Sequence, residues 1–268
     1  MVMKPDISVS VIIVAKNEAQ NLPRCLSALP RFTEVIVVDS NSEDGTAEIA
    51  RSFNVPVVAF NWDGAYPKKR QWALDNIPLK NKYVFFVDAD EEVTPALCDE
   101  IARLNWSCAG YFIKGAYVLN GAPLRFGIKN QKLALFNPSK IGFPVVDDLD
   151  LPGMGEIEGH YQPVLKKGCE GERIGALKAV LLHHALDDAA RYAARHDGYA
   201  MWERGMRARE AYPEDPVMMR RWMKRIFAVA PRAAAAFFHS YILKGGFLDG
   251  KGGLTLARLR YGYYKETD

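Results

Sequence analysis

Tyr83 to Val87 reads YVFFV, and Asp88-Ala89-Asp90-Glu91-Glu92 follows at once. Two carboxylates two residues apart, just past a buried strand, can hold a hard divalent cation. Such a cation prefers oxygen ligands and keeps positions open for phosphate oxygens. Bridging two phosphates, it acts as a Lewis acid that neutralises the charge growing on a leaving diphosphate. A D-x-D also occurs in many solvated acidic loops, where Glu91 and Glu92 would be no more than helix-start charges. Its weight therefore depends on what surrounds it.

Two further polar groups stand at equivalent places. Ile7 to Val14 (ISVSVIIV) reads as a buried strand and is followed by Ala15-Lys16-Asn17-Glu18. Glu34 to Val38 (EVIVV) is a second strand pattern and ends at Asp39, where a carboxylate could accept from a base N–H or a ribose hydroxyl. Lys68-Lys69-Arg70 precedes a helix pattern carrying Trp72, and such a cluster suits a diphosphate as well as it suits an exposed helix start.

The elements that must position these groups alternate. Helix patterns run over 19–29, 46–53, 69–76 and 94–104, with Thr94 and Pro95 as N-cap and first helical residue. Strand patterns run over 7–14, 34–38, 55–60 and 83–87. This order predicts βαβ units, a mainly parallel Rossmann-like sheet, and ligands at the carboxyl ends of its strands. Residues 111–136 read as antiparallel strands and loops, and 142–163 as a long rim loop. Helices are expected over 185–211 and 216–238, a glycine-rich turn over 245–253, and a last helix over 254–264. The division expected is a catalytic domain over 1–185, with halves 1–105 and 106–185, and a helical region over 186–268.

Strand-KNE, strand-DSNSEDGT, a basic stretch before QWAL, and FFVDADEEVTP together resemble glycosyltransferase family 2, with its GT-A fold. The spacing is most similar to the lipopolysaccharide-core branch, which adds a β-linked hexose or heptose to a lipid-linked acceptor. The match covers about Ser8 to Leu104, with a looser one over YILKGGFLDGKGGL, from Tyr241 to Leu254. The resemblance implies an inverting, metal-dependent enzyme that uses a nucleotide-sugar donor and Mn or Mg. It implies that Glu18 and Asp39 contact ribose and base, and that Lys69 or Arg70 contacts base or phosphate. It further implies that Asp88 touches ribose or metal and that Asp90 is the main metal ligand.

An inverting transfer needs a general base to take the acceptor hydroxyl proton. The branch often carries His-Glu after a valine; this chain has Val146-Asp147-Asp148 and then Gly155-Glu156-Ile157-Glu158-Gly159-His160. Asp148 and Glu158 are the leading candidates, with Asp147 and Glu156 behind them, and at least two of the four must be solvated loop residues. His160 suits phosphate, metal or a loop hydrogen bond, and His183-His184 suits a site at a strand end or a structural role.

The C-terminal third is basic. From Arg191 to Lys265 there are 15 Lys or Arg against 6 Asp or Glu, while the remainder carries 20 against 26. Arg220, Arg221, Lys224, Arg225, Arg232 and Lys244 interleave with Trp222, Met223, Ile226, Phe227, Phe237, Phe238, Tyr241, Ile242 and Leu243. That pattern fits an interfacial helix on an anionic membrane, or a face packed on the catalytic domain or on another copy. The net charge of +3 is too small to imply nucleic-acid binding. No apolar stretch reaches the ~20 residues a spanning helix needs. The start of the sequence lacks a signal-peptide layout, and the four cysteines have no metal-ligand or disulfide spacing. These features lead to the expectation of a cytoplasmic protein, peripheral at the inner face of the membrane. A nucleotidyltransferase with a similar sheet would carry a G-x-G-T-R-type loop where this chain has Ala15-Lys16-Asn17-Glu18. A non-catalytic nucleotide- or glycan-binding module would not need Asp39, Asp88 and Asp90 intact.

Overall fold

The computed structural model describes residues 6–159, 161–187, 189–211 and 232–267. These fall into two compact units. The first comprises residues 1–115, 131–143 and 163–184; the second comprises 116–130, 144–162 and 185–268. The second thus takes in two earlier segments that sequence alone groups with the sheet.

The first unit begins with β1 (Ile7–Ala15), α1 (Leu22–Ser27), β2 (Phe32–Asp39), α2 (Thr46–Ser52), β3 (Val57–Ala59), α3 (Lys69–Asn76) and β4 (Val84–Asp88). β1 pairs in parallel with both β2 and β4, and β2 with β3. Next along the chain come β5 (Glu91–Val93), α4 (Pro95–Ala102), β6 (Gly110–Leu119), β7 (Ala122–Pro123), β8 (Asn130–Phe136), β9 (Ile141–Gly142), β10 (Val164–Leu165) and β11 (Ile174–His183), of which β7 and the end of β6 belong to the second unit. The sheet runs in the order β3-β2-β1-β4-β8-β6-β11-β5. β8 lies antiparallel to β4, and β11 antiparallel to β5. The α/β alternation and the mainly parallel half match the sequence pattern.

Apolar runs too continuous for a half-solvated strand are what this architecture requires, because helices cover the sheet. Val9, Val11, Ile13, Val37, Phe85 and Val87 are buried together with Leu22, Cys25, Leu97 and Ile101 from α1 and α4. The four cysteines are free thiols. Thr94 caps α4 as expected, its Oγ1 accepting from the Leu97 N–H at 3.2 Å. Two boundaries differ from the sequence reading. α1 starts at Leu22, not near Ala19, because Pro23 suits only the first turn of a helix. The acidic stretch 88–92 is not all loop: Glu91–Val93 forms β5 and pairs with Leu181–His183.

The second unit holds α5 (Ala189–Ala208), α6 (Arg232–Phe238) and α7 (Gly250–Thr267), and a π-helical turn, His239–Leu243, and a 3-10 turn, Gly246–Asp249, join α6 to α7. α7 begins inside the stretch expected to be a glycine-rich turn, four residues before Leu254. Leu124, Ala185, Leu186, Tyr192 and Leu256 form its core. The segment after Val146 lies directly on α5. A side chain at Gly153, which has φ +106°, would overlap the Gly198 carbonyl, and one at Gly205 would meet Leu151 at 2.5 Å. The two glycines in α5 thus allow close approach of the loop, at the ~1 kcal/mol a helical glycine costs. The expected helix over 216–238 lies outside the described residues up to Pro231.

Candidate active site

Parallel register brings the polar strand ends into line. Ala15 pairs with Asp39, and Val14 with Asp88, so Asp39 and Asp88 flank the end of β1, each on a strand about 5 Å from it. Beyond Ala15 the chain turns through Asn17, held at φ +55°. This turn is bound to the loop after β2. The Asn17 N–H donates to Ser42 Oγ at 2.8 Å, the Glu18 N–H to Thr46 Oγ1 at 2.8 Å, and the Ala19 N–H to Asp44 at 3.0 Å. Asp39 accepts from the Ser42 N–H at 3.0 Å and from its hydroxyl at 2.5 Å. Glu18 accepts from Asn21 Nδ2 at 2.8 Å. Both carboxylates therefore brace the loops that carry them.

The basic trio is not an exposed helix start. Lys68 and Lys69 are only 1% and 3% exposed. The Lys69 ammonium reaches the Ala15 carbonyl at 3.4 Å and sits 6.0 Å over the Phe60 ring, so it delivers positive charge to the end of β1. Arg70 Nη2 donates to Asp88 Oδ1 at 2.8 Å.

Asp88 is held from a second side. β4 and β8 pair with Val84 opposite Phe136 and Phe85 opposite Leu135. Continued along both strands, that antiparallel register sets Asp88 opposite Lys132. The Lys132 ammonium donates to Asp88 Oδ2 at 2.9 Å and to Glu91 Oε2 at 2.5 Å. Burial opposes charge on Asp88, yet Lys132 and Arg70 together hold its carboxyl well below the usual range. Burial pushes Glu91 up against the pull of Lys132. Burial also disfavours the Lys132 ammonium, but Asp88 and Glu91 raise its pKa. Lys132 is absent from the sequence reading. The available signal was a lysine at the head of the apolar run Leu133–Phe136, on the same strand face as Ala134 and Phe136.

Asp90 follows the strand and is buried. Its Oδ1 lies 3.5 Å from His183 Nε2. His183 sits opposite Glu91 in the β5–β11 ladder, and the His184 N–H donates to the Asp90 carbonyl at 2.8 Å. Burial lowers the pKa of His183, but Asp90 beside it raises it overall. His184 Nε2 pairs with Glu92 at 3.1 Å. Among the described residues no set of three or more His, Cys, Asp or Glu side chains is gathered as a metal site. Asp90 and His183 supply one oxygen and one nitrogen donor, a set that suits a divalent cation completed by phosphate oxygens and water.

The base candidates belong to the second unit. Asp148 is 1% exposed, and its Oδ2 accepts from the Trp202 indole N–H at 2.9 Å. Glu158 is also buried, beside Gly159, which packs against the Trp202 ring. Trp202, on α5, is fully buried and was not foreseen as part of this cluster. Asp147 is exposed, 3.7 Å from Arg209, and Glu156 is half-buried. His160 lies outside the described residues.

A family model described as glycosyl transferase family 2 matches residues 10–131. That range contains the three strand ends and the basic trio, and it stops one residue short of Lys132. Residues 10–131 are a family 2 glycosyltransferase domain. The domain is 32% identical over 107 residues to the lipopolysaccharide core biosynthesis glycosyltransferase LpsC of Rhizobium meliloti, covering 38% of each chain. An uncharacterized glycosyltransferase of Rickettsia prowazekii is 36% identical over 143 residues, covering 50% of this chain and 48% of its own length. The chain thus spans about a third to a half of the curated relatives it matches. The mannosyltransferase PcManGT of Pyrobaculum calidifontis, solved in complex with GDP-Man and Mn2+, aligns over 98% of this chain and 88% of its own. Its TM-score is 0.52 and its sequence identity 17%. That likeness is one of fold, and the fold is GT-A.

Proposed function

We propose that this family 2 domain works as an inverting glycosyltransferase, moving a hexose or heptose from a nucleoside-diphosphate sugar to a hydroxyl of a lipid-linked glycan. The observation that carries the reading is the alignment of Asp39, Asp88 and Asp90 at neighbouring strand ends, with Lys69 and Arg70 beside them. Asp39 and Glu18 face the nucleoside. Asp88, already held by two cations, accepts a ribose hydroxyl, and Lys69 or Arg70 meets the base or a phosphate. Asp90 and His183 hold a divalent cation, Mn or Mg, as the Mn2+ in the Pyrobaculum complex supports. When bound, that ion neutralises charge on the departing diphosphate. Asp148 or Glu158 takes the acceptor proton.

The printed role of LpsC in lipopolysaccharide core biosynthesis supports an envelope glycan as acceptor. No helix among the described residues is long and apolar enough to cross a membrane. The basic C-terminal third supports placing the site on the cytoplasmic side, with the protein peripheral on an anionic membrane surface.

Calorimetry with Mn2+ or Mg2+ present, across uridine-, guanosine- and adenosine-diphosphate sugars, tests the reading. One donor should bind to the wild type, and binding should drop about a hundredfold or more in Asp90→Ala. Absence of binding for every donor under both metals would overturn it.

A further inference from the structure

The π-helical turn His239–Leu243 and the 3-10 turn Gly246–Asp249 present apolar side chains outward. Leu243, Phe247 and Leu248 are 65%, 49% and 58% exposed, and Phe126, from another part of the chain, is 42% exposed. Leu248 and Phe126 meet at one spot, and Leu243 and Phe247 belong to the same pair of turns. A Cβ placed on Gly245 would lie 3.5 Å from Leu248 and 3.7 Å from Phe126. Four large apolar side chains grouped at solvent mark an interaction surface, whereas the same residues scattered singly would need no explanation.

The group is rigid. Asp249 accepts from the Arg125 and Phe126 N–H groups at 3.1 and 2.7 Å, and the Gly127 N–H donates to the Lys244 carbonyl at 2.9 Å. Gly245 is held at φ +70°, which lets the chain turn between the two short helices. The only acid between Arg232 and Tyr264 is Asp249, and its oxygens point inward to those backbone donors. The same stretch has five Lys or Arg. Arg125, Lys244 and Lys251 are exposed around the apolar group. The local field is positive: burial, then Lys244 and Arg260, lower the pKa of His239.

We propose that this paired turn, with Phe126 beside it, is the element that docks on an anionic phospholipid surface. Its apolar side chains enter the boundary between headgroups and acyl chains, and its three cations meet lipid phosphates. A second copy of the chain is disfavoured on this face, because a two-fold contact would set the same cations against each other. The inference rests on the lipid-linked acceptor proposed above, and it assigns the membrane contact to described residues instead of the segment around Trp222.

Co-sedimentation of the full chain with phosphatidylcholine vesicles, with and without phosphatidylglycerol, tests it. Wild type should bind the anionic vesicles and lose binding as salt rises. Lys244→Glu with Lys251→Glu should weaken partitioning about 30-fold, near fivefold for each cation lost. Leu243→Ser with Leu248→Ser should weaken it at least about tenfold. Donor binding in both variants should equal wild type, which verifies that they fold. Variants that bind vesicles as wild type does, or a wild type that ignores them, would overturn the proposal. So would self-association of wild type without lipid that Leu248→Ser abolishes. Vesicle binding without any donor binding would sink the enzymatic reading and leave the docking surface standing.

Discussion

The Asp88 cluster of the first unit and the Asp148 cluster of the second hold their buried carboxylates differently. In the first, Asp88 and Glu91 are neutralised by Lys132 and Arg70, all delivered by strands or by a helix start. In the second, Asp148 is buried against a neutral indole N–H, and the nearby cation, Arg209, is spent on the exposed Asp150 and Asp147. A carboxylate with two cationic partners is fixed in charge and direction, which suits binding. An indole N–H gives a buried carboxylate a fixed direction through a neutral hydrogen bond. Burial and that fixed direction favour Asp148 over the exposed Asp147 as the base proposed above.

The largest effect expected from this contrast is on turnover. Asp148→Asn keeps the size of the side chain and an acceptor for Trp202 but cannot take a proton. If Asp148 is the base, kcat falls about 10²- to 10⁴-fold while donor affinity holds. Glu158→Gln, measured alongside, should then stay within about tenfold of wild type. The reverse pattern would transfer the role to Glu158, and equal small losses in both would remove the base from this loop.

Next in size is the loss of the internal cation. Lys132→Met leaves Asp88 and Glu91 facing each other with only Arg70 to compensate. Breaking a largely buried pair by removing one partner costs on the order of 3 kcal/mol. Denaturant unfolding should report that loss, and adding Glu91→Gln should restore part of it. If the double variant is no more stable than the single one, the two carboxylates are not coupled through Lys132.

The sequence makes the first unit's ligands visible because its strands deliver them in chain order. Asp39 and Asp88 end their own strands, so apolar runs and polar tips are enough to find them. Lys132 is invisible to that method, and His183 reads equally well as a strand-end site group or a structural one. Each reaches the site through an antiparallel pairing whose partner lies 44 or more residues away, and neither sits at a local motif. His183 has a further obstacle, since it reaches Asp90 only once β5 exists, and Glu91–Val93 reads as part of an acidic loop. Trp202 is harder still. Its apolar helix position gives no sign that a carboxylate 54 residues earlier would fold onto its ring edge. The four-residue shift in the start of α7 has the same origin: glycine content argues for a turn, and packing against the rest of the second unit overrides it.

Trp202→Phe probes the neutral partner directly. It keeps most of the ring that Gly159 packs against and removes one hydrogen bond to a buried carboxylate. A stability loss of about 1.5–3 kcal/mol is expected. The kcat of this variant should fall about tenfold as well, because the indole N–H fixes the direction of the Asp148 carboxylate. A stability loss with an unchanged kcat would make Trp202 a packing residue alone.

The smallest effect belongs to Arg209. Its guanidinium forks onto Asp150 at 2.6 and 2.7 Å, a two-pronged geometry, yet Asp150 is exposed. Water screens such a pair and holding it costs side-chain freedom, so good geometry does not convert into stability. Arg209→Ala should leave the thermal midpoint unchanged within error, at low salt and high. A clear loss at low salt that vanishes at high salt would mean that Arg209 fixes the loop carrying Asp148. The Asp148 cluster would then depend on a charge pair, as the Asp88 cluster does.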